Sequence, residues 1–223
     1  MTNSRRFRRV LLLLALLTLL IGLWGTFLRT HVPDAAETER LLAETLSAKS
    51  YCYTLQAEVM VDGASRDYFT LRGEKNGDDA HISGTVLGSP LELYWVEGMI
   101  YRRSGDEDWQ VLPEAQIEHA AALFAELLPA ASFAYHRITD YRSDGLIETE
   151  DGEKLQLVLA PEADGWVAEY FTAVEYILLL DKRGRQLQEL QLQATSRTES
   201  EALLHLRASF SDLGEEIRIL PPL

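Results

Sequence analysis

The sequence predicts an α+β protein dominated by antiparallel strands: a strongly curved sheet with helices over its concave face, preceded by one transmembrane helix. Three observations predict it. Val10 to Leu28 contains no charged residue. From Ser50 onward, apolar residues recur at every second position in run after run, with turn signals between the runs. Helical spacing is confined to one segment before the first strand and one near the middle.

The apolar run comes first. Arg5, Arg6, Arg8 and Arg9 precede nineteen uncharged residues. At ~1.5 Å per residue these reach about 28 Å, close to the hydrocarbon core of a bilayer. Val10, Leu14, Leu17, Ile21, Trp24 and Leu28 mark the anchor along its length, and Trp24 and Phe27 suit the outer interface. The arginines stay on the cytoplasmic side, so the C-terminal bulk is expected outside the cytoplasm, on a single-pass protein of the cytoplasmic membrane. A cleaved signal peptide would have a shorter run and a small-x-small site. Thr26-Phe27-Leu28 is a poor one, and the uncleaved anchor is the reading adopted. The expected division is a basic N-terminus over 1–9, the anchor over 10–28, a connector over 29–49 and one domain over 50–223.

Beyond the anchor the chain is strongly acidic. Setting aside Arg5, Arg6, Arg8, Arg9 and Arg29 leaves 16 basic against 35 acidic residues, a net of −19. Such a surface repels nucleic acid and anionic headgroups, and no basic cluster stands out that would select an anionic headgroup. The single cysteine, Cys52, excludes an internal disulfide and is expected as a packed thiol.

The connector should be helical, with Leu41, Leu42, Thr45 and Leu46 on one stripe and Pro33-Asp34 with Glu37 at its start. Tyr51, Tyr53, Leu55, Ala57, Val59 and Val61 then share one face of a first strand. Asp62-Gly63 and Asn76-Gly77 are hairpin signals around a strand over Arg66–Lys75. A third strand over Ala80–Leu87 contains Gly84, the mark of a bulge or bend. After Gly88-Ser89-Pro90 come strands over Leu91–Val96, Met99–Arg103 and Trp109–Leu112. Glu114–Leu128 is read as an amphipathic helix opened by Pro113 and closed by Pro129, with Phe124, Leu127 and Leu128 on its apolar side. Strand patterning returns over Arg137–Asp144, Leu146–Glu150 and Lys154–Ala160. Asp164–Phe171 shows no decisive pattern, a short helix being one option, and Ala173–Leu180, Arg185–Arg197 and Glu201–Asp212 read as long strands, with a bulge near Leu187–Leu192. About ten or eleven strands in one sheet must curl. Two helices suffice to cover only its concave side.

The segment Leu91-Glu92-Leu93-Tyr94-Trp95, followed by Gly98, Tyr101, Trp109 and the proline-bounded helix, resembles the LolA/LppX-like superfamily of bacterial envelope proteins. Phe210-Ser211-Asp212-Leu213-Gly214 and Ile217 to Pro221 are similar too. The resemblance spans Ser50 to Pro222. It implies an eleven-stranded half-barrel with helices over its mouth and a cavity for the acyl chain of a lipid or lipoprotein. Leu55, Leu91, Leu93, Trp95, Phe124, Leu127 and Leu128 are then candidate cavity lining, and plain core packing is the alternative for each. A helix anchor in place of a lipobox cysteine departs from many relatives. No cofactor is expected. The five histidines form no metal-binding spacing, no serine sits in G-x-S-x-G, and no glycine loop matches a phosphate cradle, so the protein is expected not to be an enzyme. Acidic clusters at Asp78-Asp79, Asp106 to Asp108 and Glu148 to Asp151 fall at turns, as solvated loops or weak calcium sites. The rival expectation is a regulatory or scaffolding ectodomain with a closed core that binds an envelope protein.

Overall fold

The computed structural model describes residues 31–113, 121–122, 124–198 and 202–222. The expected anchor at Val10–Leu28 lies outside the described residues. Among those that are described, no helix is long and apolar enough to cross a membrane.

Helix α1 (Ala35–Leu46) begins where Asp34 accepts the backbone N–H of Glu37 at 2.8 Å. Its buried Thr38 and Thr45 give their hydroxyls to the carbonyls of Asp34 and Leu41, so both are satisfied without leaving the helix. Eleven strands follow: β1 (Ser50–Val61), β2 (Ala64–Asn76), β3 (Asp79–Val86), β4 (Ser89–Val96), β5 (Met99–Arg103), β6 (Gln110–Val111), β7 (Tyr135–Thr149), β8 (Gly152–Ala163), β9 (Phe171–Asp181), β10 (Leu187–Ser196) and β11 (Leu203–Ser211). Short helices α2 (Pro129–Ser132) and α3 (Gly165–Tyr170) sit before β7 and between β8 and β9.

All eleven strands form one open, curled sheet in the order β6-β5-β4-β3-β2-β1-β11-β10-β9-β8-β7, antiparallel throughout. The first and last strands meet at its centre, Leu55 opposite Ala208 and Ala57 opposite Leu206. The edges are β6 and β7, which are consecutive in the chain. Residues 112–134 therefore pass from one edge to the other. Its described part beyond residue 120 lies on the concave side, where Phe124, Leu127 and Phe133 are buried with Leu42 of α1 and Val167 of α3 against the sheet.

Several expectations need correction. Residues 121–122 and 124–126 are helical, and residues 114–120 and 123 of the expected helix lie outside the described residues. Pro129 does not close that helix. It occupies the first turn of α2, where its missing N–H costs nothing. The two strands read over 137–150 are one, because Gly145, at φ +82°, absorbs a bulge between Ser143 and Gly145 instead of breaking the ladder. Pro90 lies within β4, paired with Thr85, rather than in a break. Gly84 causes no shift of register. It sits at φ +149°, and a Cβ there would collide with the carbonyl oxygen of Thr70. The bulge expected near Leu187–Leu192 falls between Leu187 and Glu189.

Because the obstacle at Gly84 is backbone, Gly84→Ala should destabilise the fold by about 2 kcal/mol or more. Urea unfolding followed by circular dichroism measures it.

Candidate functional site: the layer between sheet and cover

Alternation along each strand builds the site. On β1 the side chains of Tyr51, Tyr53, Leu55 and Ala57 turn inward while Thr54, Gln56 and Glu58 face out. On β4 the inward set is Leu91, Leu93 and Trp95. Opposite them on β3 stand Gly84, Ile82 and Ala80, and beyond Ile82 on β2 stands Gly73. Of these, Gly84, Ala80 and Gly73 are small. A Cβ on Gly73 would collide with the Tyr53 ring, which fills the space that glycine leaves.

The seven candidate lining residues are brought together. Leu55, Leu93, Phe124 and Leu127 lie in the buried cluster, and Leu91, Trp95 and Leu128 pack against it half-buried. Trp95 and Phe124 meet edge to face with ring centroids 5.7 Å apart, which couples β4 directly to the cover. The layer is filled by side chains: Leu55, Leu71, Ile82, Leu157 and Leu178 have no exposed surface.

Sequence reasoning missed how the cover is held. Inward-facing tyrosines hydrogen-bond to backbone carbonyls of the segments above them. The Tyr53 hydroxyl donates to Leu127 at 3.3 Å and that of Tyr176 to Ala134 at 3.3 Å. At the β7 edge, Tyr141 donates to Pro33 at 2.6 Å, and Tyr135 reaches Glu39 at 3.5 Å. Each ring thus buries apolar surface and ties the sheet to a backbone carbonyl of the segments above it; the Ala134 carbonyl also accepts the Asp164 N–H at 2.9 Å, so Tyr176 adds a second bond there. The signal was present in the sequence, as tyrosine on an apolar strand face, but its partner lies 74 residues away for Tyr53. Burial pushes the Tyr51 hydroxyl up to about 12 and those of Tyr53 and Tyr176 higher still.

Other motif residues lie on the convex face. Glu92 accepts from Arg103 Nε at 3.1 Å and sits 3.2 Å from His81. His81 stacks on Tyr94 at 4.0 Å between centroids, and the Arg103 guanidinium lies 4.6 Å over the Trp109 ring. Cys52 is also on this face, half-buried rather than in the core. Burial, then the neighbouring carboxylate of Asp212, pushes its thiol up to about 11, so it stays protonated near neutral pH. Among the described residues no group of three His, Cys, Asp or Glu side chains could hold a metal ion. Two clefts open on the convex face: a mainly polar one of about 220 Å³ lined by Gln56, Gln191, His205 and Arg207, and one of about 440 Å³ whose lining mixes Arg72 and His81 with Cys52, Tyr53 and Phe210. A further cleft of about 570 Å³ lies between α1 and the β9–β10 turn.

No protein-family model matches the chain, and no curated protein matches it. Among solved structures it is similar to the lipoprotein LppX of Mycobacterium tuberculosis, at 13% identity over 82% of this chain and 96% of that one, with a TM-score of 0.48. It is also similar to a LolA superfamily protein from Nitrosomonas europaea, at 10% identity over 82% and 94%, with a TM-score of 0.32. A putative outer membrane lipoprotein-sorting protein domain from Vibrio parahaemolyticus is similar at 11% identity over 79% and 89%, with a TM-score of 0.26.

The tyrosines predict an alkaline limit. Their protonated forms are favoured in the folded state, so the stability they contribute is complete below the ordinary tyrosine pKa of about 10. It is lost as pH rises through about 12 for Tyr51. Unfolding free energy should fall steadily above about pH 10, and Tyr51→Phe should show a shallower fall. Separately, Tyr53→Phe should cost about 1–3 kcal/mol, because the Leu127 carbonyl is left buried without a donor.

Proposed function

We propose that the chain is a membrane-anchored, extracytoplasmic, non-catalytic protein that binds a lipid or lipoprotein, holding an acyl chain between its sheet and its helical cover. The observation that carries this is the shared apolar layer: all seven candidate residues lie in it, and the segments above it are joined to the sheet by side-chain contacts rather than by strand pairing. Such a cover can lift without breaking the sheet. Each buried CH₂ contributes about 0.8 kcal/mol, so a ten-carbon stretch offers roughly 8 kcal/mol before the cost of association and of opening the cover. The uncharged run Val10–Leu28 supports the anchor, and the arginines before it support an outward-facing domain in the cytoplasmic membrane.

A specific observation favours a second reading, a regulatory or scaffolding ectodomain that binds an envelope protein. The interior is well filled, and the clefts just described open on the outside of the molecule.

Leu93→Trp separates the two. It adds bulk at a position only 5% exposed, directly beneath the cover. The domain from His31 onward should take up an environment-sensitive fluorescent fatty acid. Under the lipid reading the substitution abolishes uptake at a stability cost below about 1 kcal/mol. Under the closed-core reading neither protein takes up the probe, and the overpacked variant loses about 1–3 kcal/mol.

A further inference from the structure

The chain enters the domain at one end of the half-barrel. The backbone carbonyl of His31 packs on Gly184 so closely that a Cβ there would collide with it. Gly184, at φ +69°, is the left-handed residue of the β9–β10 turn, whose sequence is Lys182-Arg183-Gly184-Arg185. Only Arg29 and Thr30 separate His31 from Leu28, where the apolar run ends. Three residue steps span at most about 10 Å. Whatever course they take, the turn is held near the end of that run.

The turn is built to present cations. Asp181 accepts the backbone N–H groups of Arg185 at 2.7 Å, Gln186 at 2.9 Å and Arg183 at 3.3 Å. Its carboxylate thus fixes the backbone. Lys182, Arg183 and Arg185 are exposed, and among the described residues none of them has a carboxylate within 4.0 Å. Beside them opens the cleft of about 570 Å³, where Leu41 and Ala48 face Leu187 and Leu213, with Arg185 and Glu44 also in its wall. Glu44 is 3.8 Å from Arg40. The adjacent β7–β8 turn carries Glu150 and Asp151, with Glu153 just inside β8, so the basic patch is local to one turn.

We propose that this turn and cleft bind a phospholipid of the anchoring membrane. Lys182, Arg183 and Arg185 take the headgroup phosphate, and the first acyl methylenes lie against Leu41, Ala48, Leu187 and Leu213. The inference rests on the anchor reading, and it gives the proposed lipid-binding function a lipid class and an end at which lipid enters. The acidity of the domain as a whole hides a cationic turn at the one place the chain brings beside the bilayer.

The test uses the full chain reconstituted in vesicles of phosphatidylethanolamine and phosphatidylglycerol. The probe is a trace of phosphatidylglycerol bearing an alkyne and a diazirine in its acyl chain. Irradiation should label peptides containing Leu41–Ala48 and Leu187 as well as the segment 10–28. In the variant K182Q/R183Q/R185Q, labelling of the first two should fall about tenfold while that of 10–28 is unchanged. The same tag on a diacylglycerol, which lacks the phosphate, should label the cleft no better than in the variant. Circular dichroism confirms that the variant, altered only at exposed positions, is folded. Wild-type label confined to 10–28, or cleft labelling that survives the substitutions, overturns the site and leaves the anchor standing. Release of the protein from the vesicles by alkaline carbonate overturns the anchor, and the site with it.

Discussion

The structure depends on one topological constraint: the first and last strands pair at the centre of the sheet, so the two edge strands are neighbours in sequence. With β1 on β11, the chain runs outward to β6 and must reach β7 on the far side before it can return. Eleven strands spaced about 4.8 Å apart make that passage long unless the sheet curls. Curling shortens it and creates a concave apolar face that water must not reach. The passage itself, carrying Phe124, Leu127 and Phe133, becomes the cover of the face it crosses. Helix α1 closes the same side from the chain's entry point. A single connection thus links the edges, fills the mouth and supplies the layer on which the proposed function rests.

The way the cover is held follows from the same constraint. A segment crossing strands cannot join their ladder, so its carbonyls need donors from side chains. Tyrosine supplies one at the end of a long apolar ring, as Tyr53 does for Leu127, while Tyr176, Tyr135 and Tyr141 tie the carbonyls of Ala134, Glu39 and Pro33 to the sheet. The contacts are few and separate, unlike the continuous ladders between strands. Opening the cover therefore disrupts a handful of side-chain bonds and apolar contacts while the sheet stays intact. On the convex face Glu92 pairs with both Arg103 and His81.

Local features were legible in the sequence. Period-two alternation located the long strands apart from the continuity of β7, and Asp62-Gly63 turns as expected, with Asp62 at positive φ. The inward set Tyr51, Tyr53, Leu55 and Ala57 followed from that alternation, while Leu91, Leu93 and Trp95 were singled out by the resemblance. Features set by distant pairing were not legible. Nothing local to β1 says that its second neighbour is β11. Leu87 patterned as the end of a strand, yet it occupies a left-handed turn position at φ +51°, because the β3–β4 register leaves Leu87 and Gly88 as the two turn residues. Gly145 read as a break because its bulge is stabilised only by pairing with β8. The cationic β9–β10 turn was lost in an acidic total, and only the position of His31 gives it meaning.

The central claim is that the layer between sheet and cover admits an acyl chain. The most direct measurement is native mass spectrometry of the protein taken from its own membrane without a delipidating step. A protein that holds lipid gives a one-to-one adduct with the mass of a phospholipid or acylated species, retained under gentle activation and released at higher energy. A spectrum of bare protein alone, under conditions that preserve lipid on a known binder run alongside, contradicts it.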